Sequence, residues 1–177
     1  MGSDKIPGGG MKKFEYTGYF DMYKLYEDMM NFFEGARNYD VTEKYYTEKN
    51  DQGNKEIKSY FDCELHYTDY YQLIIIIKVI MKGKDTELEV NGRKKILAKG
   101  AVKVIASRYI EVDFQNKRKS SSLMEFATKI YDKYFGTDEI GDCVQTMGKD
   151  IGTLKNIIKN HVLLLPDEVI PSLENDH

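Results

Sequence analysis

Tryptophan is absent from this 177-residue chain, cysteine occurs twice, and proline and histidine occur three times each. Two cysteines, Cys63 in a strand-like pattern and Cys143 in a helix-like one, are too few and too scattered for a disulfide framework or a zinc knuckle. The chain carries no Gly-rich phosphate loop, no nucleophile elbow and no paired-histidine metal motif, so no catalytic residue and no cofactor is assigned. Its longest apolar run, Leu73 to Met81, is broken by Lys78 and falls far short of the about 20 residues that span a bilayer. Neither Met1 nor Met11 opens a charged and then apolar signal, which favours a cytoplasmic location and no membrane partner. A large excess of one charge is missing too. With a net charge of -3 there is no global basic field, so a charge-driven partner requires a local patch.

What is present reads as one globular domain. The residues are 41% hydrophobic and 31% charged, and fourteen tyrosines supply aromatic rings whose hydroxyls can stay wet. Residues 1–10, ending Pro-Gly-Gly-Gly, read as an expression leader set apart from the fold. Residues 11–165 form the domain, and residues 166–177 read as a flexible acidic tail.

The strongest local signal is Asn91-Gly92 between two long strand-like runs, Tyr70 to Val90 and Arg93 to Phe114. Both turn residues tolerate the positive φ of a type I′ hairpin. If Val90 faces Arg93, then Leu73, Ile75, Ile77, Val79 and Met81 fall opposite Ile110, Arg108, Ala106, Val104 and Val102 on one face. Strands of about 20 residues at about 3.3 Å each would reach about 65 Å, beyond a small domain. Gly83 falls opposite Gly100, so a bend is expected there, dividing the arm into a core half and a distal half.

Phe14, Tyr16, Gly18 and Phe20 alternate with polar residues as a first strand. Asp21 then caps a helix whose stripe runs Met22, Leu25, Tyr26, Met29, Phe32 and Phe33, ending near Gly35. Strands over Asp40 to Lys49 and Glu56 to Tyr67 flank a polar turn at Asn50 to Asn54. In the second, Ile57, Phe61, Cys63, Leu65 and Tyr67 share one face. Ser122 to Glu125 is a capping box opening a helix that stops at Gly136. A longer helix, about Asp138 to Leu164, carries Ile140, Val144, Met147, Ile151, Leu154 and Ile158 at heptad spacing, with His161 in a polar slot. Gly141, Gly148 and Gly152 beside that seam suggest a closely approaching backbone.

The expected fold is therefore α+β: an antiparallel sheet of about five strands, or seven if the arm breaks, packed on one face by an N-terminal and two C-terminal helices. The stretch Gly100 to Asp113, with Ile130 to Tyr134 and Ile157 to Leu165, resembles a group of uncharacterised archaeal proteins, which implies an archaeal, cytoplasmic origin. The element order is also similar to the helix-grip fold of START-like ligand carriers. That likeness implies a sheet-helix cavity for a small ligand.

Candidate sites follow from polar residues in unusual places. Arg108 intrudes on the apolar face of the arm and needs a partner, from Glu111, Asp113 or a ligand; with Ile75, Ile77 and Tyr109 it marks a site for a small apolar ligand. Lys82, Lys84, Arg93, Lys94 and Lys95 make the distal arm a basic ribbon able to meet nucleic acid, joined by Lys117-Arg118-Lys119. Cross-strand pairing, such as Glu89 with Lys94, is the simpler account. The helix seam could serve a homodimer or simply pack within the domain. Asp62, Glu64 and His66 share one face of a strand and could offer metal ligands, although a solvated strand face explains them as well. The leading expectation is a binding or interaction module that self-associates, ahead of an apolar-ligand carrier and a nucleic-acid-binding ribbon.

Overall fold

The type I′ turn forms as its dipeptide dictates, Asn91 at φ 51° and Gly92 at φ 72°, and the strands it joins organise the molecule. The computed structural model describes residues 4–112, 136–163 and 169–170. Among these, strands β1 (Asp4–Pro7), β2 (Lys12–Phe20), β3 (Asp40–Asp51), β4 (Asn54–His66), β5 (Tyr71–Val90), β6 (Arg93–Val112) and β7 (Val169–Ile170) form one antiparallel sheet. Helices α1 (Met22–Asn31) and α2 (Gly136–Leu163) complete an α+β fold. The path runs β3-β4-β5-β6, with β1 and β2 both on the far edge of β6 and β7 on the distal end of β5. The capping-box helix, the Lys117-Arg118-Lys119 cluster and Asp113 lie outside the described residues.

The arm has the anticipated register, Ile75 opposite Arg108 and Gly83 opposite Gly100, but its pairing runs unbroken through the glycines. What changes there is the buried face. From Leu73 to Met81 every odd position is buried and, of the even ones, only Ile74, whereas beyond Gly83 the buried residues are Leu88 and Val90, at even ones. Leu88, Val90 and Leu97 thus form a separate small cluster on the opposite face, with Tyr19 against it. Glycine is required at the crossing. A Cβ on Gly100 would lie 1.9 Å from the Lys82 carbonyl oxygen and 2.5 Å from Gly83 Cα.

Helix α1 starts where Asp21 accepts a hydrogen bond from the Lys24 amide at 3.0 Å. Its helical run ends at Ala36, near Gly35 as expected, but without a left-handed glycine cap. A wider π turn, Phe32–Ala36, completes it, closed by the Arg37 amide on the Phe32 carbonyl at 3.0 Å. The left-handed residue that releases the chain is Asn38, at φ 56°. Met22, Leu25, Met29 and Phe33 are buried in the main core. The Tyr23 and Tyr26 hydroxyls donate to Glu48 and Glu43 of β3. The bond to Glu48, strongest of its causes, pushes the Tyr23 hydroxyl up to about 12.

The glycines of α2 meet a different outcome from the one expected, and the terminal segments and the α2 seam take the following places. Residues 4–7, set apart as a leader, pair with Tyr109 to Val112 of β6, and the tail supplies β7. The seam residues Met147, Ile151, Leu154 and Ile158 are buried in the chain's own core with Cys143 and Val162, leaving Ile140 and Val144 half-buried. An amphipathic helix beside an apolar sheet face is covered most readily from within. The glycines of α2 do not admit a neighbouring backbone. Among the described residues, Cβ atoms on Gly141 and Gly152 would meet nothing within 4 Å, and one on Gly148 would meet only the Arg108 guanidinium. The close approach is made by the strand instead, where a Cβ on Gly18 of β2 would lie only 3.0 Å from Val162 Cγ1. Gly152→Ala is accordingly expected to stabilise the chain by about 1 kcal/mol, read as a higher urea midpoint.

Candidate functional site

Alternation along paired strands gives every residue a face, and the register then fixes its neighbours. Opposite the helices, consecutive cross-strand rows run Tyr45, Tyr60, Lys78, Ile105 and Lys13; then Thr47, Lys58, Ile80, Lys103 and Glu15; then Lys49, Glu56, Lys82, Ala101 and Thr17; then Asn54, Lys84, Lys99 and Tyr19. Strands lie about 4.8 Å apart and rows about 7 Å apart, so these lysines form one surface rather than a scatter. Lys78, Lys82, Lys84 and Lys99 are exposed, and Tyr45 is 53% exposed.

Two of the three carboxylates in these rows are engaged, while Asp51, opposite Asn54 in the last row, forms no ion pair among the described residues. Glu56 sits 2.6 Å from Lys58 Nζ and 2.7 Å from Lys82 Nζ, which together hold it down at about 2. Glu15 lies 3.7 Å from Lys13. Lys49, Lys78, Lys84, Lys99 and Lys103 form no ion pair among the described residues. Two of these ammonium groups rest over tyrosine rings instead, Lys78 5.7 Å from the Tyr60 centroid and Lys99 5.6 Å from that of Tyr19. An open groove of about 580 Å³ follows the glycine crossing, lined by Thr17, Glu56, Lys82, Lys84, Lys99 and Ala101 among others. At the other end of the same face the sign reverses, with Asp40, Asp62 and Glu64 beside Ile74 and Ile76.

This surface absorbs part of the predicted basic ribbon. Lys82 and Lys84 do not stand on a free ribbon, since β4 pairs with β5 as far as Lys84 and β2 flanks β6 from Ala98 to Ala106. Lys94 is taken by Glu87 at 2.7 Å rather than by Glu89, the residue directly opposite. Arg93 and Lys95 remain at the tip, where Lys95 lines a groove with Lys24 and His161, the imidazole Nε2 lying 2.8 Å from Asp28 Oδ2.

Of the predicted ligand residues, Arg108 and Ile75 stand directly opposite on the inner face with Ile77 beside them, whereas Tyr109 does not join them. Ile75 and Ile77 are fully buried in packed core, and Tyr109 points to the outer face opposite Ile74. Arg108 is 9% exposed and has no carboxylate partner among the described residues. It reaches past Gly8 and Gly9 to the Gly10 carbonyl at 3.5 Å, and its Nε is unpaired. Three glycines make room for it, Gly8, Gly9 and Gly148. Asp62, Glu64 and His66 do share the outer face. Glu64 accepts from Gln72 at 2.8 Å and Asp62 faces Lys44 at 3.8 Å, and no group of three metal-ligating side chains gathers among the described residues.

One polar cluster escaped the sequence reading. Asp150, 3% exposed on α2, lies 2.6 Å from Arg37 Nε and accepts a hydrogen bond from the Tyr39 hydroxyl at 2.7 Å. Burial, and then that bond, raise the Tyr39 hydroxyl well above its ordinary range. It is a structural clamp between α2 and the segment after α1. No helix of the described residues is long and apolar enough to cross a membrane. Compared with known protein families, with curated proteins and with solved structures, the chain finds no match.

Proposed function

We propose that this protein is a binding module that captures a polyanionic partner on the outer face of its sheet. The observation that carries the reading is the row-by-row gathering of lysines, five of them without an ion pair among the described residues, on one face of a chain whose net charge is -3. A negative chain with a positive working face concentrates its attraction there and repels the same partner elsewhere.

The other readings find less support. Self-association through the α2 seam would require residues that the chain's own core already buries. A START-like carrier would need space between sheet and helix, where Ile75, Ile77, Val104, Leu154 and Ile158 are packed without exposure.

Retention on immobilised heparin tests the proposal. The chain is expected to bind at about 50 mM salt and to elute as salt screens the contacts. Lys84→Glu with Lys99→Glu should elute markedly earlier. Lys159→Glu, an equal charge change at an exposed position of α2, should elute nearly as the parent. Flow-through of the parent at low salt would sink the reading, as would an equal shift for Lys159→Glu.

A further inference from the structure

The polyanion can be named by what accompanies the charge. An acidic protein segment needs cations alone, whereas this face interleaves them with tyrosine rings. Tyr45 and Tyr60 stand side by side across β3 and β4, in the row that continues to Lys78. The β3 register slips between Glu43 and Tyr45, a bulge that re-aims the strand beside that pair. Tyr45 is mostly exposed and Tyr60 half-buried, so their rings have wet surface at a fixed separation.

We infer that the partner is single-stranded nucleic acid, an inference that rests on the polyanion reading above. Bases stack on Tyr45 and Tyr60 while the phosphates follow Lys78, Lys84, Lys99 and Lys103 along the rows. Flat aromatic faces accept any base, which makes such a surface tolerant of sequence but demands that the bases be unpaired. A duplex hides its bases, and the described sheet face is too broad to enter a groove as a two-stranded ribbon does. Lys78 lies over the Tyr60 ring and Lys99 over that of Tyr19, so a base stacking on Tyr60 displaces the Lys78 ammonium group from the ring face towards the phosphates.

The test is fluorescence anisotropy on the full chain, with a labelled mixed-sequence single strand and a duplex of the same length. The single strand should bind tighter than the duplex. With four or five phosphates neutralised, its affinity should fall roughly a hundredfold between about 50 and 200 mM salt. Tyr45→Ala with Tyr60→Ala should weaken binding roughly tenfold or more with the salt dependence unchanged, because rings and not charges are lost. Tyr60→Phe should bind as the parent, which separates loss of stacking from loss of fold. Lys84→Glu should flatten the salt dependence. Equal or tighter duplex binding, or parent-like binding by the double tyrosine variant, would overturn the inference. If heparin retention persisted in that case, the polyanion reading would stand and only the nucleic-acid assignment would fall. Loss of both would end both.

Discussion

Gly100→Ala is expected to destabilise the chain by about 3 kcal/mol or more, enough to unfold a domain of ordinary stability in part. The methyl group would be driven to within 1.9 Å of the Lys82 carbonyl oxygen and 2.5 Å of Gly83 Cα, and both obstacles are backbone. A side chain could rotate away; here two central strands of the sheet would have to separate. Gly83, Gly100 and Gly18 are consecutive in one cross-strand row, so the strain would spread to β2 and, through Gly18 and Val162, to α2. Urea denaturation measures the effect against Gly152→Ala, which adds the same methyl group in open space. A Gly100→Ala midpoint equal to that of the parent would show that the strands part there without cost.

The second large effect is expected at Asp150. Its carboxylate is buried, so Asp150→Ala removes the acceptor of the Tyr39 hydroxyl and leaves the Arg37 guanidinium facing a space it entered only for the charge. Breaking one side of such a pair costs about 2–4 kcal/mol, less than a fully sealed pair because the Arg37 side chain is 38% exposed. Asp150→Asn keeps an acceptor for Tyr39 and should lose less. Tyr39→Phe, which removes only the hydroxyl, should lose about 1 kcal/mol. The order alanine, asparagine, phenylalanine in urea midpoints checks the assignment. A Tyr39→Phe loss as large as that of Asp150→Ala would place the energy in the tyrosine contact and not in the charge pair.

Asp150 also shows how far local reasoning reaches. Asp21 as a helix cap, Asn91-Gly92 as a hairpin and the Ile75–Arg108 register are legible because each rests on residues adjacent in sequence or coupled through a two-residue turn. Arg37 and Asp150 meet only because α2 folds back over the segment after α1, and neither residue is unusual in its own neighbourhood. The basic face was half legible. Lys78, Lys82 and Lys84 alternate along one strand, but their union with Lys13, Lys49 and Lys58 depends on which strands become neighbours.

By itself the sequence determined β2 to β6, α1 and α2, but not β1, β7 or the π turn; it also determined the register of the long arm and the alternation of its residues between two faces. These follow from steric limits on φ and ψ and from periodicities of two and 3.6 residues, which act over a few bonds. Only the tertiary structure decided that β2 flanks β6, that the distal arm buries the opposite face, that the α2 seam is consumed within the chain and that Arg108 reaches the Gly10 carbonyl. Those outcomes depend on which apolar faces and strand edges, remote in sequence, cover one another with the least polar surface left buried, a choice made by the whole chain at once.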